Sequence, residues 1–256
     1  MPSYDRVLKL DSHCHGLTTG VPEDNGFALY TRVKASKAAI IPQSISFNDA
    51  SVIPLALDTA AVGLYKWFGL PMPSHEPKPT GKTIVLWGGS SSVGILVTQL
   101  CAASGVNVVS LASSKNHELC KSVGAKACVD YKSSSAVDEV VQAVGKDDFI
   151  GLYDAISEKA SFEPGLKILG KLGGGHLAAV LPVTVDVPSN VTAHQVFGID
   201  EMTHPIWENF VSKALETGQL KCLPHPVVKG KGLEGVEAAM DANRQGLSAQ
   251  KAVVEL

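Results

Sequence analysis

The chain has 256 residues, enough for one or two domains with a real core. Hydrophobic residues make up 45 % and charged residues 18 %, which excludes a disordered chain, and a formal net charge of −3 removes the electrostatic case for nucleic acid. No apolar run is long enough to cross a membrane, no secretory signal opens the chain, and the five cysteines (Cys14, Cys101, Cys120, Cys128, Cys222) are scattered, so a cytoplasmic protein with reduced thiols is expected.

A short strand is predicted near Asp5 to Lys9. Ser12-His13-Cys14-His15-Gly16 carries zinc-type side chains. Three adjacent residues do not converge easily on one ion, and no second ligand pair stands at the usual spacing, so a surface loop and no metal are expected. Asp24-Asn25-Gly26 is a turn signal, with a strand predicted over Phe27 to Val33. Ser46 to Asp49 can start a helix. The apolar stretch that follows, to Phe68, should be kinked or split by Pro54. Pro71, Pro73, Pro77 and Pro79 make the next segment an extended connection.

Thr83 to Trp87 is a short apolar run rich in β-branched residues, which predicts a buried strand. The turn Gly88-Gly89-Ser90-Ser91-Ser92 follows at once. Val93 to Ala103 then has the length of a helix and no proline. Strand, glycine turn and helix open a dinucleotide-binding unit, because free backbone N–H groups and the helix dipole favour an anion there. The motif reads Gly88-x-x-Ser91-x-x-Gly94, with a serine at the usual middle glycine, so by itself it is also common loop chemistry. Gly105 and a second strand, Val106 to Ala112, complete a βαβ crossover of the right length. The second strand ends Ala112-Ser113-Ser114-Lys115-Asn116-His117, with no Asp or Glu to hold a ribose 2′-OH. Hydroxyls, an amide and a lysine suit a 2′-phosphate, and Ser113 or Ser114 can also cap the next helix.

The βα rhythm continues. Helices are predicted over Lys115 to Val123, Ser135 to Val144, Lys159 to Leu169 and Pro205 to Glu216. Strands are predicted over Ala127 to Asp130, Phe149 to Ala155, Gly175 to Leu181 and His194 to Ile199. This alternation predicts a parallel sheet covered on both faces, with ligand chemistry at the carboxyl ends of its strands. An amphipathic helix, Leu233 to Arg244, and a strand, Lys251 to Leu256, fall outside that unit.

Gly81-Lys82, Leu86 to Gly94, Ser113…Asn116…Leu119…Lys121-Ser122-Val123-Gly124-Ala125 and Val129-Asp130-Tyr131 together resemble the medium-chain dehydrogenase/reductase superfamily. The branch most similar is that of the fungal zinc-free quinone reductase-like and trans-acting enoyl reductase-like proteins. Pro54 to Ala61, Leu233 to Ala239 and Lys251 to Leu256 resemble other parts of that branch. The resemblance implies an α/β fold: a Rossmann-type doubly wound parallel sheet over residues 51–218, and a truncated GroES-like β-rich remnant built from residues 1–50 and 219–256. Asp5-Arg6-Val7 resembles a strand late in the GroES-like domain, and the earlier strands have no counterpart here.

The same resemblance implies NADPH as cofactor. Gly88, Ser90, Ser91, Ser92, Val93 and Gly94 would meet the pyrophosphate. Ser113, Lys115 and Asn116 would surround the 2′-phosphate, and Tyr131 would flank the adenosine. Thr59, Leu181 and Phe197 would lie near the nicotinamide. Three functions are consistent with this. The first is an NADPH-dependent reductase of an activated C=C bond or quinone in fungal secondary metabolism, with Thr59, Tyr30, Ser157 and His194 as candidate proton donors. The second is a non-redox isomerase, dehydratase or cyclase on the same fold. The third is a nucleotide-binding accessory module. The expected partners are a small-molecule substrate and either a polyketide synthase or a second copy of the chain.

Overall fold

The computed structural model describes residues 14–16 and 32–255. Tyr30 and the strand predicted near Asp5 to Lys9 lie outside the described residues, as does most of the predicted strand Phe27 to Val33. The chain divides into two compact units, Ala56–Gly198 and a second built from Met1–Leu55 with Ile199–Leu256.

In chain order, β1 (Cys14–Gly16) pairs antiparallel with β2 (Ala38–Ile40). A strand therefore stands where the His–Cys–His stretch suggested a loop. Its pairing partner is more than twenty residues away, out of reach of local pattern. Helix α1 (Phe47–Ala50) starts on Ser46, whose hydroxyl accepts from Asp49 N at 3.0 Å. Helix α2 (Pro54–Ala61) begins at the proline, where its missing N–H costs nothing. A wide π turn, Val62–Trp67, extends it.

The parallel sheet follows. Its strands are β3 (Lys82–Trp87), β4 (Asn107–Ala112), β5 (Ala127–Asp130), β6 (Asp148–Asp154), β7 (Gly175–Ala179) and β8 (Val191–Gln195). The order across the sheet is β5-β4-β3-β6-β7-β8, all neighbours parallel. Order reverses beside β3, so its carboxyl end is the switch point where such sheets bind ligands. The connecting helices are α3 (Ser92–Ala103), α4 (His117–Ser122), α5 (Ala136–Val144) and α6 (Lys159–Lys171). On one face Val85, Val109, Leu111, Leu152 and Leu177 bury against Val140, Phe162 and Ile168. Alternate residues Ile84, Leu86 and Val108 point to the other face and are equally buried. Burial on both faces explains why β3 reads as a continuous apolar run.

Strand β8 lies earlier than predicted. It spans Val191–Gln195, not His194 to Ile199, because Val191 N bonds Pro188 O to close a turn and register with β7 then runs from Gly175↔Val191 to Ala179↔Gln195. Thr192 and Ala193 are exposed on this edge, so the strand lacks an apolar signature.

The remaining elements belong to the second unit. Helix α7 (His204–Ile206), a π turn (Trp207–Val211) and α8 (Ser212–Thr217) replace the single predicted helix. Then come β9 (His225–Lys231), α9 (Val236–Arg244) and β10 (Gln250–Glu255), the two strands pairing in parallel. The sequence did not announce β9: it contains Pro226 and Gly230, which belong at edges. Among the described residues β9 pairs only with β10, so one side is an open edge that tolerates them.

At the amino end of the large sheet, Asp147 accepts from Lys126 Nζ at 2.7 Å, Asn107 Nδ2 at 3.1 Å and the Thr83 hydroxyl. Lys126 first, then Thr83 and Asn107, hold its carboxyl down at about 2. A carboxyl lowered on folding stabilises above its unfolded value and loses that contribution as pH falls through the folded one. Asp147→Asn should therefore lower the melting temperature at pH 7, and the gap to the parent should close as pH falls from about 4 towards 2. Melting curves across that range test this; a gap independent of pH would contradict it.

Candidate functional site

The turn between β3 and α3 is held by backbone. Gly88 has φ +82°, a conformation costly for any residue with a Cβ. The N–H groups of Gly88 and Gly89 both bond Leu111 O at 3.0 Å, tying the turn to the end of β4. Ser91 N bonds Gly88 O at 2.9 Å, and the Ser91 hydroxyl caps α3 by accepting from Gly94 N at 3.0 Å. The Ser92 and Val93 N–H groups belong to the first helical turn, where α-helical geometry supplies no acceptor. They form the positive end of a buried twelve-residue helix.

Two glycines are required by space. A Cβ on Gly94 would lie 2.2 Å from Gly88 O. One on Gly89 would lie 1.7 Å from Ser110 Oγ. Gly89 was not among the residues picked from the motif, although the doubled glycine was the available signal.

The turn after β4 meets this loop. Asn116 Nδ2 donates to Ser90 Oγ at 3.1 Å, joining two segments that the sequence assigned separately to pyrophosphate and 2′-phosphate. Ser113 ends the strand and makes no side-chain cap, so its hydroxyl does not serve the capping role the sequence allowed. Ser114 N instead donates to Asp130 Oδ2 at 3.3 Å. Asp130 is an acid that reading along β4 missed, because register places it opposite Ala112 at the end of β5. Its other oxygen accepts from Lys132 N at 3.0 Å. That bond first, then those from Ser114, hold the carboxyl below its ordinary value. Exposed Lys115 and Lys132 stand in the same turns. Tyr131 is 43 % exposed, its ring 6.4 Å from Trp87, with Lys132 Nζ 5.8 Å above it.

The other candidates spread along the strand ends. Leu181 follows β7 and Phe197 follows β8, 52 % and 66 % exposed. Thr59 on α2 lies beside the residue after Phe197: a Cβ on Gly198 would stand 2.8 Å from Thr59 Oγ1. Thr59 O accepts from the buried Tyr153 hydroxyl at 2.8 Å. Ser157 is buried with φ +61°, and its hydroxyl donates to Asp154 O at 3.0 Å. Asp154 Oδ1 takes the N–H groups of Ile156 and Ser157. Burial pushes this carboxyl up, and its Oδ2 has no hydrogen-bond partner among the described residues. His194 stacks on Trp67 at 4.4 Å and meets His176 Nδ1 at 3.3 Å. Burial first, then His176, lowers its pKa. Trp67 is eight residues beyond Thr59, so His194 sits roughly two helical turns from the Thr59–Phe197 group.

This geometry can be set against known proteins. The family model described as zinc-binding dehydrogenase matches residues 92–212. Dehydrogenase orsE of Emericella nidulans is 43 % identical, the match covering 100 % of this chain and 79 % of that one. The chain belongs to the medium-chain dehydrogenase/reductase family. Trans-enoyl reductase himH of Aspergillus japonicus is 39 % identical over 95 % of this chain and 72 % of its own length. Two solved structures share the fold: CurK enoyl reductase (TM-score 0.66, 18 % identity, 87 % of this chain, 67 % of that one) and Escherichia coli quinone oxidoreductase complexed with NADPH (TM-score 0.66, 16 %, 88 % and 70 %). The protein is thus a reductase-type oxidoreductase of this family.

Gly94→Ala should destabilise by about 1–3 kcal/mol, because a backbone carbonyl cannot move aside as a side chain can. Ser91→Ala should cost about 1 kcal/mol through loss of the cap. Gly170→Ala is the control: no atom lies within 4 Å of its Cβ position, so an exposed helical alanine should be neutral or stabilising. Urea unfolding midpoints read all three, and a Gly94→Ala midpoint equal to the parent's would contradict the assignment.

Proposed function

We propose that this protein uses NADPH to reduce an activated C=C bond or a quinone, without zinc, in fungal secondary metabolism. The observation that carries the cofactor reading is the Asn116–Ser90 bond, which brings the β4 turn to the glycine loop. Bound there, NADPH supplies a hydride. The Ser92 and Val93 N–H groups with Ser90 would hold the pyrophosphate. Ser113, Lys115 and Asn116 would hold the 2′-phosphate, and Tyr131 would flank the adenosine. Asp130 does not oppose this reading, because its two oxygens already accept from Ser114 and Lys132 N–H groups. Gly94 serves the loop itself: the Gly88 carbonyl fills the place of its Cβ, and this lets α3 start close above the end of β3.

Zinc finds no such fit. Among the described residues no group of three or more His, Cys, Asp or Glu side chains could hold an ion.

Exposed Leu181 and Phe197 would give the nicotinamide and the substrate an apolar seat. Thr59 is the candidate donor beside that seat, where a hydroxyl could hydrogen-bond a developing oxyanion. Ser157 has its proton committed to Asp154 O, and His194 is engaged with Trp67 and His176. The name trans-enoyl reductase borne by the himH relative supports C=C reduction over quinone reduction. A substrate carried by a polyketide synthase, or one delivered to a second copy of the chain, fits a stand-alone reductase of this kind.

Calorimetric titration should show NADPH binding at least ~10-fold more tightly than NADH, since a charged, hydrogen-bonded phosphate contact contributes about 1.5–3 kcal/mol. Ser113→Asp should reverse or abolish that preference. With an enoyl substrate, product should gain two hydrogens only when NADPH is supplied. Equal affinities would refute the cofactor choice, and product of unchanged mass formed without cofactor would refute the redox reading.

A further inference from the structure

Two cysteines outside the proposed chemistry meet underneath the glycine loop. Cys120 on α4 is fully buried and packs with Ala112 and Ala125, and the partly exposed Cys128 of β5 packs against the same cluster. The Cys128 thiol reaches in two directions. It lies 3.7 Å from His117 O, at the first residue of α4, and it packs against the small cluster that holds Cys120. Above Cys120 is the nucleotide loop: a Cβ on Gly89 would stand 3.4 Å from Cys120 Sγ and closer still to Ser110 Oγ. Among the described residues the buried Ser110 hydroxyl finds no hydrogen-bond partner there. Immediately before α4 runs the Ser113–Asn116 turn, pinned to the loop through Ser90.

We propose that Cys120 and Cys128 are an oxidation site: a peroxide converts them to a disulfide that disturbs the glycine loop and the β4 turn and so weakens nucleotide binding. The coupling to the nucleotide rests on the cofactor reading above; the disulfide does not. The pairing suits the reaction: a proton shared between the two thiols eases the first ionisation of the pair and, with burial, opposes the second. Cys101 and Cys222 are poorer nucleophiles, since burial raises Cys101 and pushes Cys222 up to about 11.

One thiolate of the pair attacks one oxygen of hydrogen peroxide, breaking the O–O bond. This gives its sulfenic acid and, with one proton, water. The other sulfur then displaces that oxygen, which leaves with the second thiol's proton as a second water. Two thiols lose two electrons, and one peroxide becomes two waters. A disulfide requires the sulfurs to approach to about 2.05 Å, so a packed pair of thiols must close further. That closure draws α4 and β5 together, removes Cys120 from beneath Gly89 and shifts the turn that ends at Asn116.

Peroxide treatment of the whole protein should remove about 2 Da. Trypsin without reductant should yield Asn116–Lys121 linked to Ala127–Lys132. Cys120→Ser and Cys128→Ser should each abolish the linked peptide, Cys222→Ser should retain it, and dithiothreitol should reverse it. Circular dichroism of Cys128→Ser, the less buried change, separates loss of the bond from loss of the fold. In calorimetry the oxidised parent should bind NADPH on the order of ten-fold more weakly than the reduced parent, a common size for coupling between sites. Absence of the linked peptide overturns the site. A linked peptide with equal affinity in both states overturns the coupling. If the reduced protein does not bind NADPH, the cofactor reading and the coupling fall together, while the linked peptide still decides the bond.

Discussion

The fold turns on one close approach of backbone to backbone. The Gly88 carbonyl stands where a Cβ on Gly94 would be, and the Gly88 and Gly89 N–H groups share the Leu111 carbonyl. This contact lets α3 begin directly above the end of β3, in the crevice where the strand order reverses. Moving α3 away would unseat a helix with nine of its twelve residues buried, an apolar loss far larger than the cap alone supplies. It would also withdraw the Ser92 and Val93 N–H groups from the mouth of that crevice. Stability and the proposed anion recognition therefore depend on the same few ångströms.

Around this contact the charges are arranged so that an acid does not oppose the proposed anion site. Asp130 lies at the end of the strand beside the Ser113 turn, yet its oxygens are occupied by two backbone N–H groups. Lys115 and Lys132 stay at the surface, where long side chains keep their charge solvated. A carboxylate so placed works as a staple between two turns. It orders the Ser114 backbone, and thereby the neighbouring Ser113 and Lys115, without offering itself to a ribose.

The opposite part of the large unit is organised by aromatic packing. The Tyr153 ring occupies the space next to Gly63, where a Cβ would lie 2.2 Å from it, and its hydroxyl reaches Thr59 O. One helical turn further, Trp67 stacks on His194, which touches His176. The π turn at Val62–Trp67 belongs to this arrangement, since widening the helix is a recognised way to re-aim side chains without ending it. The result leaves Thr59 at the strand ends beside Phe197 and commits His194 to packing.

Sequence alone determined the elements whose cause is local. The β-branched run of β3, the serine cap and glycines of the next turn, the proline opening α2 and the alternation of strand and helix each act within a few residues. They were enough for a parallel α/β sheet and for the glycine turn between β3 and α3. The tertiary structure alone decided what register and packing bring together. Asp130 lies beside Ser114 because two parallel strands align Ala112 with it; Cys120 lies under Gly89 because α4 packs below the turn. His194 looked free to donate a proton until Trp67 and His176 closed on it, and β8 and β9 carry little apolar pattern because edges leave one side open to water. Parallel strands join residues separated by whole helices, and no local pattern encodes which side chains will face one another across that distance.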